Sequence, residues 1–321
     1  MTDNALMPLR VAHTELAARG IQCIELRHPQ GEPLPPFTAG AHIPVRTPGG
    51  AMRQYSLCND PAEQDRYVIA VKREVNGRGG SRSLVDAARP GLVLEVGVPQ
   101  NAFALDPKAS SFVLIAGGIG ITPMMAMARH LLAEDGRPFK LYYLTRDAEG
   151  TAFLDELRAP PFAPHVVVHH DGGDPANAYD LWPVLEKPGS AAGRHVYCCG
   201  PTPLMDAVRD MSGHWPASAV HFESFGADLR PHADDQPFEV QLQHSGARFT
   251  VPVGQSILET LRARGVAVAS SCESGTCGSC KTRLLSGEAD HRDLVLLPEE
   301  RATHVMVCVS RAKTPCLVLD L

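Results

Sequence analysis

The chain has 321 residues, 44% of them hydrophobic and 21% charged, with a formal net charge of −6. That length predicts about two domains, with three small ones also compatible. An acidic balance without any Lys/Arg run excludes a nucleic-acid surface, and no apolar stretch reaches the ~18–20 residues that span a bilayer.

Residues 1–5 lack the basic and apolar regions of a signal peptide. Four of the nine cysteines have metal-ligand spacing. The others (Cys23, Cys58, Cys198, Cys199 and Cys316) are scattered or adjacent, so a reducing cytoplasm is expected rather than a disulfide framework.

In chain order, residues 1–106 predict short β segments broken by Pro35-Pro36, Pro48-Gly49-Gly50, Asn76-Gly77 and Pro90-Gly91. Residues 66–72 and 92–96 are strand-like, and many such segments at close spacing suggest an antiparallel β-barrel. Within this block stands Arg53-Gln54-Tyr55-Ser56-Leu57-Cys58. Arg53 offers a planar fork for a phosphate, Tyr55 a flat face for a ring, and Ser56 a small donor and acceptor. Taken alone, this run also suits an ordinary strand with alternating faces. The Gly-rich stretch 76–83 can place N–H groups and Ser81 around a second side of the same phosphate.

Residues 107–226 change character. Apolar strands over 111–116 and 139–144 alternate with helical stretches such as 122–132, which predicts βαβ units on a parallel sheet. The turn Gly117-Gly118-Ile119-Gly120-Ile121-Thr122-Pro123 follows a strand and opens a helix. Its glycines let backbone N–H groups approach a pyrophosphate, with Thr122 as helix cap and Pro123 in the first turn. It lacks the G-x-G-x-x-G pattern, so a purely structural turn is the alternative. A second strand-to-helix junction, Cys198-Cys199-Gly200-Pro201, strengthens the case, because ligands on open α/β sheets collect at carboxyl strand ends. After the strand over 165–170 comes Asp171-Gly172-Gly173. Asp171 can accept from a ribose 2′-OH and would repel a 2′-phosphate, favouring NADH. An Asp in a Gly-rich turn is the plainer reading, and Arg146 offers an anion partner that would suit NADPH.

Residues 227–237 are polar, Pro-bearing and aperiodic, which predicts a linker. From residue 238 the chain reads strand, strand, helix over 256–264, then Cys272, Cys277, Cys280 and, further on, Cys308. C-x4-C-x2-C with a distant fourth cysteine is the plant-type spacing for a [2Fe–2S] cluster. Zinc loops pair two C-x2-C units, and the x4 gap breaks that pattern.

Read together, R-x-Y-S, G-G-I-G-I-T-P-M and C-C-G-P resemble, in order, the ferredoxin–NADP reductase-like superfamily. With a C-terminal plant-type ferredoxin domain, the whole chain is similar to the phthalate dioxygenase reductase family, as are the stretches 55–60, 78–81, 221–226 and 272–281. The resemblance implies an FMN-binding β-barrel domain (1–106), an NADH-binding α/β domain (107–226), the linker, and an α+β β-grasp ferredoxin domain (238–321). It implies that Arg53, Gly80 and Ser81 hold the FMN phosphate and that Tyr55 packs on the flavin ring. Ser56 would approach the reactive N5 edge, Ala70, Val71 and Lys72 would run along the ring, and Phe225 would cover its nicotinamide side. Gly117, Gly118 and Thr122 would bind pyrophosphate. Cys199, Gly200 and Pro201 would line the nicotinamide, with the soft Cys199 sulfur beside C4. The implied partner is a Rieske-type oxygenase acting on an aromatic acid, and the implied state a monomer.

NADH gives two electrons as hydride and the cluster takes one at a time, so the flavin must release them singly. The acidic neighbours Glu273, Glu288 and Asp290 would steer toward a basic patch on that partner. The residues leave other outcomes open: FAD instead of FMN, an aromatic O-demethylase as acceptor, a Cys198–Cys199 disulfide, or a redox sensor without turnover.

Overall fold

The computed structural model describes residues 6–75, 79–190, 192–225, 234–270, 273, 275, 278–293, 295–297 and 299–321. They form two compact units, residues 1–223 and 224–321.

The first unit begins with strands β1 (Met7–Ala18), β2 (Ile21–Arg27), β3 (His42–Arg46), β4 (Met52–Ser56), β5 (Tyr67–Lys72) and β6 (Val93–Val96), with helix α1 (Gly80–Ala87) between the last two. These strands form an antiparallel sheet in the order β4-β3-β6-β1-β2-β5. A bridge between Leu57 and Ile69 joins the two edge strands, and Cys58 N–H donates to Val68 at 2.9 Å. The sheet therefore closes into the expected barrel, which removes exposed strand edges. Helix α1 lies in a stretch read from sequence only as a Gly-rich loop. Its Leu84 is fully buried among Leu9, Ile24, Ile43 and Tyr67, and burying such a side chain is worth roughly 1.5–3 kcal/mol. That apolar anchor outweighs the weak helix propensity of Gly80 and the serines.

The same unit continues with β7 (Ser111–Gly117), α2 (Ile121–His130), β8 (Phe139–Thr145), α3 (Leu154–Arg158), β9 (Val166–His170), α4 (Trp182–Leu185), β10 (Arg194–Cys199), α5 (Thr202–Met211) and β11 (Val220–Glu223). The five strands are all parallel, in the order β11-β10-β7-β8-β9. β7 is apolar and almost wholly buried, as a central strand covered on both faces must be. The strand order reverses between β7 and β10, so the switch point, where open α/β sheets bind ligands, lies at their carboxyl ends. Barrel and parallel sheet share one core, in which Cys23, Cys58 and Ala70 meet Phe112, Met124, Met125 and Tyr143. Arg129 of α2 reinforces the joint: it donates to the Cys58 carbonyl and clasps Glu156 at 2.7 and 2.9 Å.

The second unit holds β12 (Phe238–Leu242), β13 (Arg248–Val251), α6 (Ile257–Ala263), β14 (Lys281–Ser286), β15 (Ala289–Asp290), β16 (His304–Met306), β17 (Arg311–Ala312) and β18 (Cys316–Leu319). Its mixed sheet runs β13-β12-β18-β14-β16, with β12 and β18 parallel. This is the β-grasp arrangement, and α6 buries Ile257, Leu258 and Leu261 in its core. A capping box starts α6: Ser256 Oγ accepts from Glu259 N–H at 3.1 Å, and the Glu259 carboxylate accepts from Ser256 N–H at 2.9 Å.

Candidate functional site

Barrel closure draws the end of β4 alongside β5, so Arg53, Tyr55 and Ser56 stand near Ala70, Val71 and Lys72. The Arg53 side chain lies across Gly80, where an added Cβ would meet Nε at 2.8 Å and Cγ at 2.9 Å. Gly80 and Ser81 are the first two residues of α1, whose N-cap Gly79 has φ +83° and supplies no side-chain cap. Arginine and a bare helix N-terminus thus converge, which is a phosphate site by charge and by donor geometry. Ser81 Oγ accepts from Glu74 N–H at 3.2 Å, and Lys72 pairs with Glu74 at 2.6 Å.

Tyr55 buries its hydroxyl without a hydrogen-bond partner, and burial pushes that phenol up to about 12 against the pull of Arg53. A buried donor left unmatched costs about 1–3 kcal/mol. A flavin beside Tyr55 supplies acceptors, so the residues fit the cofactor that the motifs imply.

At the switch point the backbone is packed too tightly for side chains. A Cβ on Gly120 would lie 2.1 Å from the Cys199 carbonyl oxygen, and one on Gly117 would lie 2.6 Å from Pro201 Cδ. Gly118 has φ +54° and open space before it. Thr122 does not cap α2. Gly120 takes the N-cap position, while the buried Thr122 is the second helical residue and donates to the Ile119 carbonyl at 3.1 Å. A 3-10 turn over Gly118–Gly120 leads into α2 and has no side-chain cap of its own, while Ile121 N–H donates to the Gly118 carbonyl. Helix α5, whose N-cap is Pro201, has no side-chain cap either. The helices α1, α2 and α5 all lack a side-chain cap and any acidic residue in the first turn. By contrast, α6 carries a full capping box. The positive ends of α1, α2 and α5, without side-chain caps, suit phosphate oxygens.

Cys199 is the last residue of β10, aligned with Ala116 on β7 and Glu223 on β11. Burial, then the Glu223 carboxylate, then Cys198 push its thiol well above the ordinary value. It is therefore a neutral, polarizable contact rather than a thiolate nucleophile. Both Cys198 and Cys199 are free thiols.

The structure adds one residue that motif reading left without a role. Glu223, nearly buried, accepts a hydrogen bond from Ser56 Oγ at 3.3 Å, linking the β4 end to the β10–β11 end. The signal lay in the stretch 221–226, where a carboxylate ends the short strand Val220–Glu223. Phe225 lies in the second unit with its ring exposed.

Asp171 follows β9, and its carboxylate accepts from Gly173 N–H at 2.7 Å. That is the turn role of the plainer reading. Arg146 lies beside the same turn, with Cδ 3.7 Å from a Cβ placed on Gly173.

In the second unit Cys280 immediately precedes β14 and Cys308 follows β16, and pairing of Lys281 with Met306 brings the two cysteines to one end of the ladder. Both are buried, while Cys272 and Cys277 lie outside the described residues. Among the described residues between Cys272 and Cys280, Gly275 and Gly278 have φ +76° and +78°, and Glu273 has φ +52°. Positive φ at Glu273, Gly275 and Gly278 suits the tight local turns that a cluster-binding cysteine loop needs. A Cβ on Gly275 would strike Val309 at 2.8 Å.

Comparison with known proteins agrees with this geometry. The oxidoreductase NAD-binding domain matches residues 114–210, and the 2Fe-2S iron–sulfur cluster binding domain matches residues 240–313. Phthalate dioxygenase reductase of Burkholderia cepacia is 58% identical over 319 residues, covering 99% of this chain and 98% of that protein. The phthalate 4,5-dioxygenase oxygenase reductase subunit of Pseudomonas putida is 57% identical over 320 residues, with 99% and 98% covered. A solved phthalate dioxygenase reductase, described as modular for electron transfer from pyridine nucleotides to [2Fe–2S], superposes with a TM-score of 0.81 at 58% identity, covering 98% of both chains. The chain belongs to the phthalate dioxygenase reductase family, oxidoreductases of oxygenase systems that join FMN and NADH to a [2Fe–2S] cluster.

Proposed function

We propose that this chain draws hydride from NADH and delivers single electrons to a Rieske-type oxygenase acting on an aromatic acid of the phthalate kind. The observation that carries this is the meeting of Ser56, Glu223 and Cys199 at the switch point, flanked by three helix ends without side-chain caps. The flavin supplies two-electron acceptance and one-electron release, and the cluster supplies one-electron carriage.

Every other part falls to the protein. Arg53, Gly80 and Ser81 bind the FMN phosphate, and Tyr55 with Ala70, Val71 and Lys72 borders the ring. Gly117 and Gly118 let the pyrophosphate reach the α2 end, and Thr122 braces that turn through Ile119. Gly200 and Pro201 wall the nicotinamide, and the Cys199 thiol, buried and uncharged, excludes water beside it. Ser56 presents its hydroxyl toward the flavin edge while Glu223 fixes its rotamer. Asp171 selects NADH at the ribose. Phe225 covers the flavin face, and Cys272, Cys277, Cys280 and Cys308 hold the cluster. These roles fall to a flavin domain (1–106), a nucleotide domain (107–226), a linker (227–237) and a ferredoxin domain (238–321). The working form is a cytoplasmic monomer, and no described helix is long and apolar enough to cross a membrane.

Heat-released flavin should migrate as FMN, and NADH should drive reduction of both ferricyanide and cytochrome c. Release of FAD would correct the cofactor. Failure to oxidise NADH would sink the proposal.

A further inference from the structure

At the last rung between β8 and β9, Thr145 faces His170. Their side chains belong to a short chain of hydrogen bonds whose direction can be worked out. Thr151 Oγ1 lies 2.6 Å from the Asp147 carbonyl oxygen, which only accepts, so the Thr151 hydrogen is committed there. Thr145 Oγ1 lies 2.8 Å from Thr151 Oγ1 and must donate to it. Thr145 Oγ1 also lies 2.8 Å from His170 Nδ1, and with its own hydrogen spent it can only accept. The hydrogen therefore sits on His170 Nδ1, and in the neutral ring Nε2 presents a bare lone pair.

That Nε2 is buried and has no partner. Two neighbouring groups are already engaged: His169 Nε2 donates to the Asn177 carbonyl at 2.7 Å, and Asp171 Oδ1 takes the Gly173 N–H. An acceptor left unmatched at a carboxyl strand end calls for a ligand that donates.

Strand order says which ligand reaches it. The Gly117–Gly120 turn ends β7, with β10 on one side and β8 then β9 on the other. A dinucleotide held there by its pyrophosphate, with nicotinamide toward Cys199 and Pro201, sends its adenosine across β8. β9 lies two strand spacings from β7, about 10 Å, so the ribose comes to Arg146, His170 and Asp171.

We propose that His170 Nε2 accepts a hydrogen bond from the 2′-hydroxyl of the adenosine ribose of NADH, making His170 a specificity residue beside Asp171. The inference rests on the NADH-oxidising function proposed above. A 2′-phosphate brings no hydrogen for this lone pair and places negative charge against Asp171, so NADPH is rejected by two neighbouring acceptors.

His170→Asn tests this, because the asparagine amide can still donate to Thr145 where Nδ1 did but has nothing at Nε2. His170→Gln is the companion, with an amide group reaching the Nε2 position. Equilibrium titration with AMP reads the adenosine half alone, and KM and kcat for NADH read the whole cofactor. His170→Asn should weaken AMP binding and raise the KM for NADH by about five- to tenfold with kcat little changed, as for loss of one hydrogen bond made equally in ground and transition states. His170→Gln should recover most of that loss. An unchanged AMP dissociation constant in a folded His170→Asn protein would overturn the proposal. Equal weakening in both variants with a lowered melting temperature would also overturn it, by making His170 structural. Failure of the wild type to oxidise NADH would count against the proposed function, whereas normal NADH oxidation with an indifferent His170 would count against this inference alone.

Discussion

Ser56 Oγ donates to Glu223 Oε2 at 3.3 Å across 167 positions of sequence. One residue ends β4 of the barrel and the other ends β11 of the parallel sheet. The pair ties the end of β4 to the strand beside Cys199, so in the proposed site it would set the relation between flavin and nicotinamide. In the proposed site, Ser56→Ala removes both the hydroxyl assigned to the flavin edge and its bond to Glu223. The expected result is about tenfold slower flavin reduction by NADH in stopped flow, with flavin content unchanged. Glu223→Gln keeps an acceptor but removes the charge beside Cys199, so it should slow reduction less than Glu223→Ala does.

The phosphate end answers to a different pair. Arg53→Ala should weaken flavin retention by roughly ten- to a hundredfold, the worth of a charge-assisted hydrogen bond. Gly80→Ala should move in the same direction, because its new Cβ would press on Arg53 Nε at 2.8 Å. Flavin content after gel filtration measures both, and full retention in both variants would place the phosphate elsewhere.

Cys308→Ser separates the two electron routes. Hydride entry takes place in the first unit, so ferricyanide reduction by NADH should persist. Cytochrome c reduction, which needs one-electron exit through the cluster, should fall to background. Equal loss of both activities would contradict the assigned order of carriers.

Acid sensitivity should trace to His221. Its ring stacks on Tyr197 at 4.3 Å and meets His195 Nδ1 at 3.0 Å. Burial first, then His195, lowers its pKa from 6.5 to about 4, with Asp106 pulling the other way. The folded state thus prefers the neutral ring. That preference stabilises the fold fully above 6.5 and is lost as pH falls toward 4. Melting temperatures from pH 7.5 down to 4.5 should show a steeper fall in the wild type than in His221→Phe, which keeps the stack but cannot titrate. Parallel curves would assign the acid limb to other groups.

Much of the fold was legible because its signals are local. The apolar run over 111–116 and the helical stretch over 256–264 mark their elements without help from distant residues. Cysteine spacing carried the cluster domain for the same reason, since ligand geometry constrains sequence directly. Helix α1 escaped because Gly-Gly-Ser reads as loop, and only tertiary burial of Leu84 makes it a helix. Thr122 was read as a cap from residue type alone, whereas the Gly117–Gly120 turn shifts the helix start to Ile121. Glu223 had only a weak local signal, a carboxylate at a strand end, and His170 had none, because their meaning comes from partners 167 and 25 positions away.

Low-temperature EPR of the anaerobic protein after NADH addition, with visible absorbance recorded alongside, tests the electron path most directly. Flavin bleaching together with a rhombic signal of a reduced [2Fe–2S] centre is the predicted result. Bleaching without that signal would leave a flavin reductase with no exit through the cysteine loop and would contradict the account.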